Sequence, residues 1–358
     1  MTINGQPNTV DDNPTDSGNA LELSNVRKLF PVRTPLLRRV VGQVRAVDDV
    51  TLTVGSAETV GLVGESGSGK STLGRVALRL IEPTSGEVVL AGEQITGLSQ
   101  SKMRDQRRNG QMIFQDPYSS LDPLATIADN VGEALERHSD LTHKERNRRV
   151  GDLLEEVHLR RDLANRYPHE FSGGQLQRIA LARALAVRPR LIVADEPVSS
   201  LDVSTQAQML QLIERIQSDF GVAFLFISHD LSVVRHVSER IAVMYLGQLV
   251  EIGDNDALAT RPKHPYTAAL LSAVPFPDPV VQRKRKRILL QGDLPSPSNV
   301  PPGCRFHVRC PHALDICHEV DPEPYAAPDG TSVRCHLHTH GPALAGRSVI
   351  ELPIPEAN

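Results

Sequence analysis

Gly64-Glu65-Ser66-Gly67-Ser68-Gly69-Lys70-Ser71 fits G-x-x-x-x-G-K-S/T, a loop whose backbone wraps nucleotide phosphates. An apolar run, Thr59-Val60-Gly61-Leu62-Val63, precedes it. After it, Leu73, Val76, Ala77 and Leu80 recur at three- and four-residue spacing, which predicts a helix. Strand, glycine-rich turn and helix are the setting in which such a loop makes physical sense. The glycines let N–H groups converge on phosphates, and the helix start adds the positive end of its dipole. Lys70 can reach the terminal phosphates, and the Ser71 hydroxyl can coordinate Mg²⁺. The expected nucleotide contacts run from Gly64 through Thr72.

At 358 residues the chain has room for one large domain and a smaller one. Its formal net charge of −4 gives no reason to expect nucleic acid as a partner. No apolar stretch approaches the roughly 18–20 residues of a bilayer span. Met1 to Ala20 is polar, without the basic start and apolar centre of a secretion signal. We expect a disordered tail there and a cytoplasmic protein.

Folded structure is expected from Leu21, with Phe30 either a core aromatic or a platform for a nucleotide base. Pro31 to Gln43 is basic and predicts an exposed loop; Val47 to Val54 returns to strand character. Gln111 to Phe114 reads as a strand ending in Gln115, which could point an amide at a metal or a water. Ile127 to about Arg166 is helical and charged, enough for a separate lobe. Ser172-Gly173-Gly174-Gln175 opens the next helix, either as an ordinary serine cap or as a second phosphate site. Leu191 to Ala194 is a buried-strand run ending in Asp195 and Glu196. In a chain with a phosphate loop these carboxylates divide the work: Asp195 for the Mg²⁺ shell, Glu196 for the attacking water. Asp202 caps a further helix. His229 ends another strand, as a cap or as a group facing a γ-phosphate.

In their order and spacing, the phosphate loop, Ser172 to Gln175, Asp195-Glu196 and His229 together resemble an ABC ATPase. Gly64 to Arg75, Phe114 to Leu121, His264-Pro265-Tyr266-Thr267 and Gly303-Cys304-Arg305-Phe306-His307 are similar to the oligopeptide/dipeptide importer branch. The resemblance spans about Leu21 to His340. It implies an α/β fold: a P-loop ABC ATPase domain with a mixed sheet and a helical subdomain, plus a small irregular Cys/Pro-rich C-terminal domain. The expected divisions are a tail at 1–20, the nucleotide domain at 21–260 with helices at about 116–172, the C-terminal domain at 261–340, and a tail at 341–358.

The resemblance further implies a head-to-tail dimer, with each ATP between one subunit's phosphate loop and the other's Ser172 to Gln175. Phe30 then stacks on adenine, Gln115 senses the γ-phosphate beside Mg²⁺, Asp202 crosses the dimer interface and His229 is the switch histidine. Catalysis falls to Glu196, His229, Gln115 and Lys70. Implied partners are a second homologous ATPase, with a heterodimer favoured, two transmembrane permease subunits and an extracytoplasmic solute-binding protein. The implied location is the cytoplasmic face of the cell membrane. Peptide import is the leading function; uptake of nickel or another solute, or a non-transport ABC ATPase, are alternatives. DNA-repair relatives normally carry a long coiled coil and translation relatives two nucleotide domains. This chain has one phosphate loop and no heptad run.

Cys304, Cys310, Cys317 and Cys335 are separated by five, six and seventeen residues. Soft ligands in so Pro-rich a region could share a metal. They could equally be unrelated small side chains or a reversible disulfide, the last disfavoured in the cytoplasm. The family resemblance implies a 4Fe–4S cluster, with Zn²⁺ as the alternative. Arg283 to Arg287 reads as a solvated basic flank.

Overall fold

The computed structural model describes residues 18–34, 39–275, 287–340 and 344–352. The chain opens on two long strands, β1 (Asn19–Arg33) and β2 (Val40–Gly55), followed by β3 (Thr59–Val63) and α1 (Lys70–Ala77). β4 (Ser85–Leu90) and β5 (Glu93–Gln94) form a hairpin, α2 (Gln100–Gln106) follows, and β6 (Gly110–Ile113) enters the main sheet. Next come α3 (Ile127–His138), α4 (His143–Glu156) and α5 (Gly173–Leu185), then β7 (Leu191–Asp195), α6 (Val203–Phe220), β8 (Ala223–Ser228) and α7 (Leu231–Val237). The chain continues through β9 (Arg240–Tyr245), β10 (Gln248–Asp254), α8 (Asn255–Thr260) and α9 (Pro265–Ala273). It closes with β11 (Pro324–Ala326) and β12 (Ser332–Arg334) among short 3₁₀ turns.

The main sheet has the order β11-β12-β10-β9-β3-β8-β7-β6, and β2-β1-β4-β5 form a second, antiparallel sheet. From β9 to β6 every neighbouring pair is parallel. Every residue of β3, β7 and β8 is buried, as expected of parallel strands covered on both faces. One apolar core fills the space between the two sheets, with Leu21, Val54, Leu62 and Leu73 in it. A second lies on the opposite face, where α5 and α6 pack with the lobe formed by α3 and α4.

One expectation needs correcting. Pro31 to Gln43 is not simply a loop. β1 and β2 remain paired through Pro31–Gln43, Val32–Gly42 and Arg33–Val40, because β-branched residues carry the strands outward while charged side chains ride on them. Residues 35–38 lie outside the described part. Near the C-terminus Leu344 and Val349 are buried, Ile350 is exposed, and Val349 N–H donates to the Pro262 carbonyl. Of the basic run, Arg283 to Lys286 lie outside the described residues, as do residues 1–17 of the N-terminal stretch.

The Cys/Pro-rich region is tied to the main sheet by pairing of β12 with β10. At this junction Glu251 is 1% exposed and accepts N–H bonds from Lys263 (2.8 Å) and His264 (2.9 Å) at the start of α9. Burial pushes its carboxyl up to about 7, against the pull of these hydrogen bonds. The folded chain therefore holds a proton there that an unfolded glutamate, near 4.5, has released. That contribution is full below about pH 4.5 and is lost as pH rises through about 7. Melting temperature is expected to fall across this window, and Glu251→Gln is expected to flatten the slope.

Candidate active site

Because β3, β6, β7 and β8 run parallel, their carboxyl ends deliver side chains to one edge of the sheet, where open α/β sheets bind ligands. β3 leads into the phosphate loop, β6 into Phe114-Gln115, β7 into Asp195-Glu196 and β8 into Ser228-His229. Two loop glycines are dictated by close approach. A Cβ on Gly64 would lie 2.1 Å from the Met244 carbonyl oxygen. One on Gly69, at φ +109°, would lie 2.0 Å from that of Ala46.

Lys70 is buried and donates to the carbonyls of Gly64 (2.8 Å) and Glu65 (3.0 Å). Burial lowers its pKa, with the Glu196, Asp195 and Glu65 carboxylates opposing. The Ser71 hydroxyl donates to Asp195 Oδ1 at 2.8 Å. Burial pushes Asp195 up, against the Ser71 hydrogen bond and the nearby Arg75. A hydroxyl touching a buried carboxylate is the donor set that Mg²⁺ takes beside nucleotide phosphates, so these residues fit that ion.

Glu196 sits at φ +49°, an uncommon conformation for a residue with a side chain. Gln115 Nε2 donates to its Oε2 at 2.9 Å. His229 Nδ1 lies 3.1 Å from Oε1, a hydrogen bond when that nitrogen carries the proton. The carboxylate is thus gripped at both oxygens at the end of an open cleft of about 630 Å³. Lys70, Ser71 and Thr72 line it, together with Ser66 and Gly67 of the loop. Phe30, Val44 and Pro297 line it as well. Phe30 is 37% exposed, with Lys28 Nζ 5.0 Å from its ring centroid, so a stacking base would share the ring with that ammonium.

Ser172, Gly173, Gly174 and Gln175 do not line this cleft. Ser172 caps α5 in a reciprocal capping box with Gln175. Its exposed surface and that of Gly173 are free to meet another molecule. Asp202 likewise lies outside the cleft as the cap of α6, bonded to Ser204 and Thr205. Those hydrogen bonds hold its carboxyl well below the usual range.

Cys304, Cys317 and Cys335 are buried, Cys310 is partly so, and none forms a disulfide. Burial pushes the Cys304 and Cys310 thiols up to about 12, and all four sulfurs are near enough for their charges to interact. Thiols have the donor chemistry of a sulfur-ligated centre. Among the described residues, however, no group of three or more His, Cys, Asp or Glu is arranged to hold a metal ion. The thiol region was marked by its sequence, but two residues that reach from this part of the chain to the phosphate loop were not. Tyr266 gave only a family likeness and Arg309 no local signal.

The strand order and the side chains gathered at the strand ends define a P-loop nucleotide hydrolase. Residues 47–199 match the ABC transporter family, and residues 250–317 match the oligopeptide/dipeptide transporter C-terminal region. The oligopeptide transport ATP-binding protein AppF of Bacillus subtilis (strain 168) is 52% identical over 320 residues, covering 89% of this chain and 97% of AppF. The dimeric post-hydrolysis structure of the ATP-binding cassette MJ0796, bound to ADP and Pi, is 31% identical with a TM-score of 0.59. That match covers 66% of this chain and 98% of that one. At 22% identity and a TM-score of 0.59, cbiO1 from Clostridium perfringens shares the fold over 68% of this chain and 91% of its own. The chain belongs to the ABC transporter ATP-binding proteins of the oligopeptide/dipeptide family, and it is an ATP hydrolase.

Proposed function

We propose that this chain hydrolyses ATP to power peptide import through a membrane permease, working at the cytoplasmic face of the membrane. The observation that carries the reading is Glu196 held between Gln115 and His229 in the cleft that Lys70 and Ser71 line. Phosphoryl transfer needs placement and charge neutralisation more than covalent chemistry. Lys70 exchanges its two carbonyl partners for phosphate oxygens. Glu196 orients the attacking water and accepts its proton, while His229 and Gln115 fix the carboxylate. Ser71 and Asp195, with Gln115 nearby, would hold Mg²⁺, which would supply charge neutralisation at the phosphates. Phe30 carries the base.

Ser172 to Gln175, which do not line their own chain's cleft, complete the site of a second homologous ATPase, with Asp202 at the shared interface. Two transmembrane permease subunits and an extracytoplasmic solute-binding protein complete the assembly. Among the described residues no helix is long and apolar enough to cross a membrane. A groove of about 280 Å³ beside α3, where Leu80, Phe114, Ala134 and Arg137 meet, is the place for a permease loop. In proteoliposomes holding the full assembly, ATP turnover and uptake of labelled peptide are expected to rise together when the solute-binding protein is added. Turnover indifferent to the permease, or uptake of nickel without peptide, contradicts this reading.

Cys304, Cys310, Cys317 and Cys335 would hold a structural 4Fe–4S cluster, with Zn²⁺ as the alternative; the support is four neighbouring thiols without a disulfide. Anaerobic purification is expected to give about four irons per chain for the cluster, or one zinc. Fully folded protein with neither removes the assignment.

A further inference from the structure

Glu65 is the first variable residue of the phosphate loop, and the C-terminal region holds it twice. Its N–H donates to the Tyr266 hydroxyl at 2.9 Å, from α9. Its side-chain Oε2 accepts from the Arg309 guanidinium at 2.8 Å, from a turn between two of the cysteines. The same residue's carbonyl receives the Lys70 ammonium at 3.0 Å. Donor, acceptor and side chain of one loop residue are therefore all engaged, two of them by groups from the C-terminal region.

Both groups are themselves fixed. Tyr266 is fully buried, and the Arg309 side chain is 9% exposed. Arg309 lies over the Tyr245 ring at 5.9 Å, a cation–π contact. Tyr245, Tyr266 and Phe306 pack with ring centroids 4.8 to 5.5 Å apart. Arg305 reaches the other side of the loop, bonding the Leu246 carbonyl and Asp48. The next residue, Gly247, donates its N–H to the Ser68 carbonyl at 2.8 Å. The stretch between Cys304 and Cys310 thus braces the loop from both flanks, directly through Arg309 and indirectly through Arg305.

We propose that Arg309 and Tyr266 are positioning residues for nucleotide binding, which hold Glu65 so that the phosphate loop and Lys70 are set before ATP arrives. A loop so held loses less freedom when ATP binds, so the brace acts on affinity. It makes no contact in the cleft and is not part of the hydrolytic step. The proposal rests on the ATP site described above, and the test separates the two.

The test uses the assembled complex and a fluorescent ATP analogue. Arg309→Met is expected to raise Kd about tenfold, in the range of one charged hydrogen bond. It should raise KM for ATP equally while kcat at saturation stays within twofold. Melting temperature and the count of titratable thiols should match the parent, and Arg309→Lys should recover part of the loss. Glu65→Gln should raise Kd similarly, and it serves if Arg309→Met does not fold. The double variant should bind no more weakly than the weaker single one, because both changes break one contact. An unchanged Kd in either folded variant, additive losses in the double variant, or a fall in kcat with KM unchanged overturns the proposal. A parent protein that binds no analogue instead overturns the ATP-site reading itself.

Discussion

Replacing Glu196 by glutamine is expected to lower steady-state ATP hydrolysis by about 10²–10⁴-fold, the usual contribution of a positioned base. ATP binding should be preserved. The substitution keeps shape and hydrogen-bonding reach: a glutamine oxygen can still accept from Gln115, which now donates at 2.9 Å. What disappears is the charge and the capacity to take a proton from water. Lys70, Ser71 and Asp195 are untouched, so phosphate affinity should change little. ATP bound but not spent should accumulate a closed dimer. Single-turnover hydrolysis measured beside equilibrium binding separates these effects; near-normal turnover would show that Glu196 is not the base.

Lys70→Ala is expected to act on binding first. The ammonium now sits in a buried site, satisfied by the Gly64 and Glu65 carbonyls, and nearby carboxylates favour its charge. Moving it to phosphate replaces neutral acceptors with anionic ones at little cost in reorganisation. A hydrogen bond to a charged group contributes about 1.5–3 kcal/mol. Kd for ATP should therefore rise about 10–100-fold, with a larger fall in kcat/KM because phosphate charge grows in the transition state. Isothermal titration of the folded variant checks the first number. Unchanged affinity would mean that the lysine remains parked on the loop.

Much of this site was legible because its parts are local. The apolar runs before Gly64, Asp195 and Ser228 announce strands buried on both faces, and the motif residues follow directly at their ends. Proximity across strands could be anticipated from parallel order, though not the finding that Gln115 and His229 hold opposite oxygens of Glu196. The outer part of the β1–β2 hairpin was hidden by its basic residues, since pairing such as Val32 with Gly42 leaves no periodic mark in so mixed a stretch. The C-terminal brace was harder still. Arg309 and Glu65 are 244 residues apart, and an arginine in an irregular, Pro-rich segment gives no sign of the carboxylate it will meet. Cysteine spacing drew the eye to this region, while the contacts to the phosphate loop come from the residues between the cysteines.

The separation of Ser172 to Gln175 from their own chain's cleft makes a shared site the central claim. Sedimentation of the Glu196→Gln chain, alone and mixed with a homologous ATPase subunit, with and without Mg·ATP, tests it most directly. The expected result is a dimer that forms only with Mg·ATP and is lost when Ser172→Arg is added to the chain. A single chain that saturates with ATP yet never pairs in either mixture, with Ser172→Arg making no difference, would contradict it.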